Sequence, residues 1–162
     1  MNETKWEASA LANSNINESD AEYLATHGLP NLKHDNLEFA VDQLGTQPEG
    51  TDCHQVGTYG ILNDVPLYVR ESTAGVWSID EDSNEFILVN SSVRSFAQFV
   101  SLRERYLLDM NKLLPAKVQE QFVLAIKAAM EDIDSAAFGE SSLWGPFIDD
   151  ICNQVAFYEE EF

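Results

Sequence analysis

Three short apolar runs lie in the middle of the chain, and polar or glycine-containing residues follow each of them. The runs cover residues 65–69, 76–79 and 86–89. Runs of this length, rich in Val, Ile, Leu and aromatic residues, predict successive antiparallel strands joined by tight turns. Pro66 has no backbone N–H to donate, so its strand is predicted either to lie at a sheet edge or to begin there.

The spacing of apolar residues changes to a helical period after the sequence Asn90-Ser91-Ser92. A serine at this boundary offers the side-chain oxygen that the first free N–H groups of a helix need. The residues that then share one helical face are Val93, Phe96, Ala97, Val100, Leu107 and Met110. We predict a helix from about residue 92 to residue 114 that covers one face of the sheet.

Weaker patterns predict elements upstream of this central region. Ser19 and Glu22 have capping-box spacing, which predicts a short helix that ends before Gly28. Alternating apolar residues over 37–41 predict a half-buried strand. Residues 56–62 carry two glycines among apolar residues, which predicts a strand with a bulge.

Two more helices are predicted downstream. Pro115 suits the first turn of a helix, and the apolar stripe expected there is Val118, Phe122, Ala125, Ile126, Ala129 and Ile133. A third helix follows Ser141 and Ser142, and its expected buried residues are Leu143, Trp144, Phe147, Ile148, Ile151 and Val155.

The predicted fold class is α+β, with an antiparallel, twisted sheet of about 4–6 strands flanked by an N-terminal helix and about three C-terminal helices. Residues 1–18 are polar and rich in Asn and Ser, so we expect a loosely ordered segment with Trp6 as its one anchor. Residues 19–162 are then expected to form a single domain.

The chain is strongly acidic, because 28 Asp and Glu against 9 Lys and Arg give a net charge of −19. This charge argues against direct binding to nucleic acid or to an anionic membrane surface, and it favours encounter with a basic partner. The other interpretation is that it only keeps the protein soluble. The N-terminus lacks a basic start and an apolar run, so we expect a cytoplasmic protein with reduced thiols.

No motif predicts catalysis, a metal or a cofactor. The soft metal ligands lack the usual zinc spacing, and they are His27, His34, Cys53, His54 and Cys152. The chain has neither a nucleophile elbow nor a phosphate-binding loop. Carboxylate pairs such as Asp80 and Asp82 are expected by chance in so acidic a chain, and residues 80–85 lack the glycine and the distal Glu of a calcium loop.

Several short motifs stand in a suggestive order along the chain. They are Gly28-Leu29-Pro30, Gly75-Val76, Val89-Asn90-Ser91-Ser92 followed by Phe96 and Phe99, and Trp144. Spread over residues 20–155, these motifs resemble the SUKH superfamily, specifically its bacterial subgroup numbered four, which consists of immunity proteins. The chain departs from that pattern in its long Asn- and Ser-rich N-terminus and in Arg70-Glu71.

The resemblance implies an antiparallel sheet wrapped by helices. It also implies a cytosolic immunity protein that binds and neutralises a cognate polymorphic toxin domain, typically a nuclease or a nucleic-acid deaminase. The acidic charge agrees with a basic toxin surface. The main alternative is a regulatory scaffold that binds signalling partners, as fungal members of the superfamily do, and a further alternative is a hydrolase with paired carboxylates.

One turn is the first choice for contact with a partner. Its acidic residues are Asp80, Glu81, Asp82 and Glu85, which are expected between two strands where they can reach a basic surface. Trp77 alternates with its neighbours and faces the opposite side of its strand, so an exposed Trp77 would be a further contact. The competing prediction places Trp77 in the core with Phe86, Phe96, Phe99 and Phe122. The sequence does not predict an oligomeric state.

Overall fold

The chain forms an antiparallel sheet, and helices come before and after its strands in the sequence. This confirms the predicted α+β class. The computed structural model describes residues 2–12, 14–31, 38–39, 52–59, 65–71, 73–80, 83–110, 115–139 and 142–149. The first elements are β1 (Asn2–Thr4), α1 (Ala8–Ala12), α2 (Glu18–Thr26), β2 (Leu29–Asn31), β3 (Glu38–Phe39) and β4 (Cys53–Tyr59). The later elements are β5 (Val65–Arg70), β6 (Val76–Ile79), β7 (Phe86–Asn90), α3 (Val93–Met110), α4 (Ala116–Ile133) and a 3-10 helix (Ser135–Phe138). Residues 144–149 are also helical.

The main sheet has the strand order β3-β4-β5-β6-β7, and every neighbouring pair is antiparallel. Strands β5, β6 and β7 lie where the three apolar runs predict them. Because β5 lies between β4 and β6, Pro66 is tolerated near the start of the strand and not at a sheet edge. The predicted bulge is confirmed by a register shift between Gln55 and Gly57 in β4.

Helix α3 packs its apolar face into the core, as predicted for Val93, Phe96, Ala97 and Val100, whereas the side chains of Leu107 and Met110 lie outside the described part of the structure. Its fully or almost fully buried residues are Val93, Phe96, Ala97, Phe99, Val100 and Tyr106. They form one cluster with side chains from the sheet, including Val69, Val76 and Val89. The core therefore lies between α3 and the face of the sheet that carries these valines, which we call the inner face.

Helix α4 (Ala116–Ile133) buries Ile126 as predicted, but most of its other buried residues differ from the predicted stripe. Val118 is 45% exposed and Ala125 is also exposed. The buried residues lie mostly one position further along, at Gln119, Val123, Ile126 and Met130. The alanines of this helix fit several stripes equally well, and the larger Val123 and Met130 decide which face fills the core.

The N-terminal segment, which is expected to be loosely ordered, contains β1 and α1. Strand β1 pairs with β2 in a separate two-stranded sheet. Trp6, Leu11 and Ile16 are 3%, 4% and 8% exposed and belong to the main core cluster. The difference arises because three large apolar side chains are enough to attach an otherwise polar segment. That the chain forms a single domain stays a prediction.

Helix α2 begins earlier than its capping-box pattern predicts. It starts at Glu18, and the Asn17 side chain accepts a hydrogen bond from the Ser19 N–H at 3.1 Å. Asn and Ser are equally good N-caps, so the pattern alone did not separate them. The predicted C-terminal stop is confirmed, because Gly28 has a φ of 74° and donates its N–H to the Tyr23 carbonyl at 3.1 Å.

Candidate partner-binding surface

A buried carboxylate and a pair of serines hold the start of α3. Asp20, which is 3% exposed, accepts the N–H of Gly75 at 2.8 Å and the N–H of Val93 at 2.9 Å. Ser92 caps the helix, since its Oγ accepts the Ser95 N–H at 3.0 Å and its own N–H donates to the Ser95 Oγ at 3.2 Å. The serine cap was predicted, and the role of Asp20 was not.

A second buried carboxylate binds the same junction. Asp134 Oδ2 accepts the Ser91 N–H at 2.7 Å, the Ser95 hydroxyl at 2.9 Å and the Asn90 amide at 3.1 Å. The indole N–H of Trp144 donates to the Asn90 Oδ1 at 2.9 Å. The Asn-Ser-Ser motif and Trp144 therefore join β7, α3 and the C-terminal helix, which is a structural role.

Hydrogen bonds join the described residues on the two sides of the turn between β6 and β7, where the predicted acidic residues lie in sequence. The Asp80 N–H donates to the Glu85 carbonyl at 2.9 Å, and the Asn84 N–H donates to the Asp80 carbonyl at 2.8 Å. The Asp80 carboxylate accepts the Ser83 N–H at 2.8 Å. Asn84 has a φ of 57°, which Asn tolerates better than most residues. Among the described carboxylates of the turn, that of Asp80 is therefore held by a hydrogen bond to the backbone.

The structure describes two of the four predicted acidic residues, Asp80 and Glu85. Glu85 is exposed and makes no side-chain hydrogen bond or ion pair to another described residue. Asp80 is half-buried, and one of its oxygens belongs to the turn. Glu81 and Asp82 lie outside the described residues.

Trp77 lies on the face of the sheet opposite to the core, which we call the outer face. Its neighbours Val76 and Ser78 are buried, whereas Trp77 is half-buried, so the predicted alternation is confirmed. The Arg70 guanidinium lies 5.4 Å from the Trp77 ring centre and 4.9 Å from that of Phe86. Neither Trp77 nor Phe86 joins the core cluster, so their expected place in the core is wrong.

The Arg70 charge is neutralised within the protein. Its Nε and Nη2 donate to Asp52 Oδ1 at 3.1 and 2.9 Å. The outer face therefore presents aromatic side chains without an unpaired positive charge from Arg70. The turn next to it carries a net negative charge.

Tyr68 completes the aromatic group of the outer face. It packs edge-on against Phe86 with ring centres 6.2 Å apart. Burial raises the pKa of the Tyr68 phenol above its ordinary value of 10.0, and electrostatic repulsion from the Cys53 sulfur raises it further. The phenol is therefore neutral at physiological pH.

Sequence reasoning missed Phe86, Arg70 and Tyr68 as parts of this surface. Strand register would have found them, because Tyr68 pairs with Trp77 and Ile79 pairs with Phe86. Residues directly opposite each other in an antiparallel pair point to the same side of the sheet. Trp77, Glu85 and Phe86 belong to one hairpin, and Tyr68 and Arg70 extend that surface to the neighbouring strand β5.

Other chemistry is sparse in the part of the chain that the structure describes. His54 Nε2 lies 2.9 Å from Glu71 Oε1 and 3.2 Å from the Ser14 carbonyl, so it joins the N-terminal segment to the sheet. Cys53 is buried and is not part of a disulfide. Among the described residues, no His, Cys, Asp and Glu side chains are grouped to hold a metal ion. Within the same residues, no helix combines the length and apolar character needed to span a bilayer.

Comparison with known families gives one match. The family model described as SUKH-4 immunity protein matches residues 2–150. Neither the curated proteins nor the solved structures contained a match to the chain. The family match covers the N-terminal strand and helix, the whole described sheet and the helices that cover it.

Proposed function

Because the chain belongs to the SUKH-4 immunity protein family, we propose that it binds and neutralises a cognate polymorphic toxin domain in the cytoplasm. The protein acts by forming a complex and catalyses no reaction itself. The observation that carries this proposal is the family match over residues 2–150.

The charge of the protein supports a basic partner. A net charge of −19 repels nucleic acid and accelerates association with a positively charged protein surface. Enzymes that act on nucleic acid have basic substrate-binding surfaces, because they bind phosphate groups. We therefore propose that the toxin is a nuclease or a nucleic-acid deaminase.

The contact surface that we propose combines the acidic turn with the aromatic outer face. Asp80, Glu81, Asp82 and Glu85 supply negative charge at the hairpin. Trp77 and Phe86 are partly exposed next to it, and partly exposed aromatic residues are frequent anchors of protein interfaces. Asp80 and Asn84 are held by hydrogen bonds within the turn, so these two residues lose little conformational entropy on binding.

Co-expression with the protein encoded by the neighbouring gene tests the function. We expect the neighbour to stop host growth when it is expressed alone, and we expect growth to return together with a stable co-purifying complex when this protein is present. A harmless neighbour that forms no complex would contradict the proposal. A neighbour whose toxicity is relieved without complex formation would contradict neutralisation by binding.

A further inference from the structure

Strand β7 (Phe86–Asn90) lies at one edge of the main sheet. Among the described strands, β7 pairs with β6 and with no other. Its first three residues are half-buried, whereas Val89 and Asn90 are 1% and 0% exposed. The more accessible part of this edge, which we call the β7 edge (Phe86–Leu88), therefore begins directly after the acidic turn.

The strand register shows which backbone groups of β7 point away from the sheet. The Asp80 N–H donates to the Glu85 carbonyl at 2.9 Å, so these residues form a hydrogen-bonded pair. Hydrogen-bonded and non-hydrogen-bonded pairs alternate along an antiparallel ladder, and Ile87 faces Ser78 two positions further on. The N–H and carbonyl of Ile87 therefore point towards β6, and those of its two neighbours in the strand point away from the sheet.

The outward N–H and carbonyl groups of Phe86 and Leu88 have no hydrogen-bond partner among the described residues. Four such groups in a row form a template for another extended segment. Proteins usually block a sheet edge with a short strand, a charged residue or a proline. The opposite edge strand, β3, has two residues and carries Glu38. Strand β7 has five residues and contains neither a charge nor a proline.

The charge beside the β7 edge is negative. Glu85 directly precedes the strand and is exposed, and the turn before it carries Asp80, Glu81 and Asp82. A basic segment therefore finds complementary charge at the start of the edge. A second copy of this chain would bring a further net charge of −19, so electrostatic repulsion opposes the pairing of two β7 strands.

Apolar side chains continue the outer face of the sheet up to the β7 edge. Tyr68, Trp77 and Leu88 face one another across β5, β6 and β7, and Phe86 lies on the same side of β7 as Leu88. A strand added beside β7 would place every second side chain next to this row. Apolar or β-branched side chains fit these positions.

We propose that the β7 edge binds an extended, basic segment of the toxin, which adds a sixth strand to the described sheet. The backbone of that segment exchanges hydrogen bonds with Phe86 and Leu88, and a Lys or Arg side chain of the segment lies beside Glu85. The inference rests on the proposed function for the identity of the partner. It adds the mode of binding, because this contact is made by the backbone as well as by side chains.

Amide hydrogen exchange of the free, full-length protein tests the edge first. After correction for intrinsic rates, we expect the N–H groups of Phe86 and Leu88 to exchange at least about tenfold faster than that of Ile87. Equal exchange at the three amides would overturn the proposal, because the edge would already be covered. If protection of Phe86 and Leu88 disappeared on dilution, the covering segment would be a second copy.

Three short peptides then test the occupant. The first is N-acetyl-Lys-Val-Thr-Val-Lys-amide, whose two lysines place one positive charge beside Glu85 in either strand direction. The second has the same sequence with N-methyl groups on the first valine and on the threonine, which block hydrogen bonds along both edges of an extended chain. The third has glutamates in place of the two lysines.

We expect only the first peptide to bind, with a Kd on the order of 1 mM. At a concentration of about 5 mM it should slow exchange at Phe86 and Leu88 about sixfold, because protection rises as one plus the ratio of concentration to Kd. Glu85→Gln should weaken its binding about threefold. The matched control Glu131→Gln, at an exposed position of α4, should leave its binding unchanged.

Three results with the peptides would overturn the proposal. Equal binding of the N-methylated peptide would show contact through side chains and not through the β7 backbone. Equal binding of the glutamate peptide would remove the charge argument, and equal weakening by Glu131→Gln would show that net charge alone matters. None of these measurements uses the toxin. Failure of the peptides together with rescue in co-expression would therefore contradict binding at the edge and leave the proposed function intact.

Discussion

Gly75 has a φ of 111°, and its N–H donates to the buried Asp20 carboxylate. A Cβ at this position would press against the carbonyl oxygen of Asn90 in the paired strand. A glycine is therefore required at position 75, both by the backbone conformation and by the close approach of the Asn90 carbonyl.

Substitution of this glycine has a matched control elsewhere in the chain. We expect Gly75→Ala to lower the free energy of unfolding by about 3 kcal/mol or more, from backbone strain and steric overlap. Gly139→Ala should change it by less than about 0.5 kcal/mol, because Gly139 is extended with nothing within 4 Å of an added Cβ. Urea unfolding measures both, and equal effects would contradict the role of Gly75.

Asp134 offers a second test on a single side chain. Asp134→Ala leaves the donors of Asn90, Ser91 and Ser95 without their acceptor, so we expect a loss of about 3 kcal/mol. Asp134→Asn keeps one oxygen and should cost less. The control is Asp132→Ala, because Asp132 lies two residues earlier, near the end of α4, and its side chain is exposed. If urea unfolding gave the same midpoint for the two alanine variants, the buried carboxylate would have no structural importance.

The elements differ in how well sequence predicts them, and the differences have physical causes. Strands β5, β6 and β7 and helix α3 were predictable because large apolar residues follow one period and polar turns bound them. The β1–β2 pair was not, because residues 2–4 have no β pattern and pair with a distant strand. The stripe of α4 was misplaced because alanines carry little information about which face is buried.

The candidate site was predictable only in part. Local composition was enough to predict the acidic turn. The alternation of residues along the strand was enough to predict that Trp77 faces the opposite side of the sheet from Val76 and Ser78. The partners of Trp77 required strand register, which depends on pairings across the sheet and on a bulge between Val76 and Trp77. The carboxylates Asp20 and Asp134 were missed because their partners lie far away in sequence.

The hairpin as an element carries the prediction for the interface. The double variant Glu81→Lys with Glu85→Lys should slow association with the toxin about tenfold at low salt and weaken the salt dependence of the rate. The control Glu131→Lys with Asp132→Lys makes the same change in net charge at exposed positions of α4. Stopped-flow association measures both, and equal slowing would assign the effect to the net charge of the protein and not to the hairpin.

At the scale of the whole molecule, the charge of −19 opposes the compact state by self-repulsion. Screening by salt relieves this repulsion, so raising NaCl from about 0.02 to about 0.3 M should raise the Tm by about 2–4 °C. Thermal unfolding followed by circular dichroism measures the shift. Choline chloride should act equally, and a rise with sodium alone would indicate a bound cation and contradict self-repulsion as the cause.

Asp20 also affects the time course of folding. It joins α2 to backbone groups that lie 55 and 73 residues further along the chain, so its bonds close long loops and are expected to form late. Bonds that form after the transition state change the unfolding rate and leave the folding rate almost unaltered. We therefore expect Asp20→Asn to increase the unfolding rate in stopped-flow urea jumps and to leave the refolding rate almost unchanged. The Asp20 carboxylate, which links α2 to the starts of β6 and α3, then determines the lifetime of the folded molecule. It has little effect on how quickly that molecule folds.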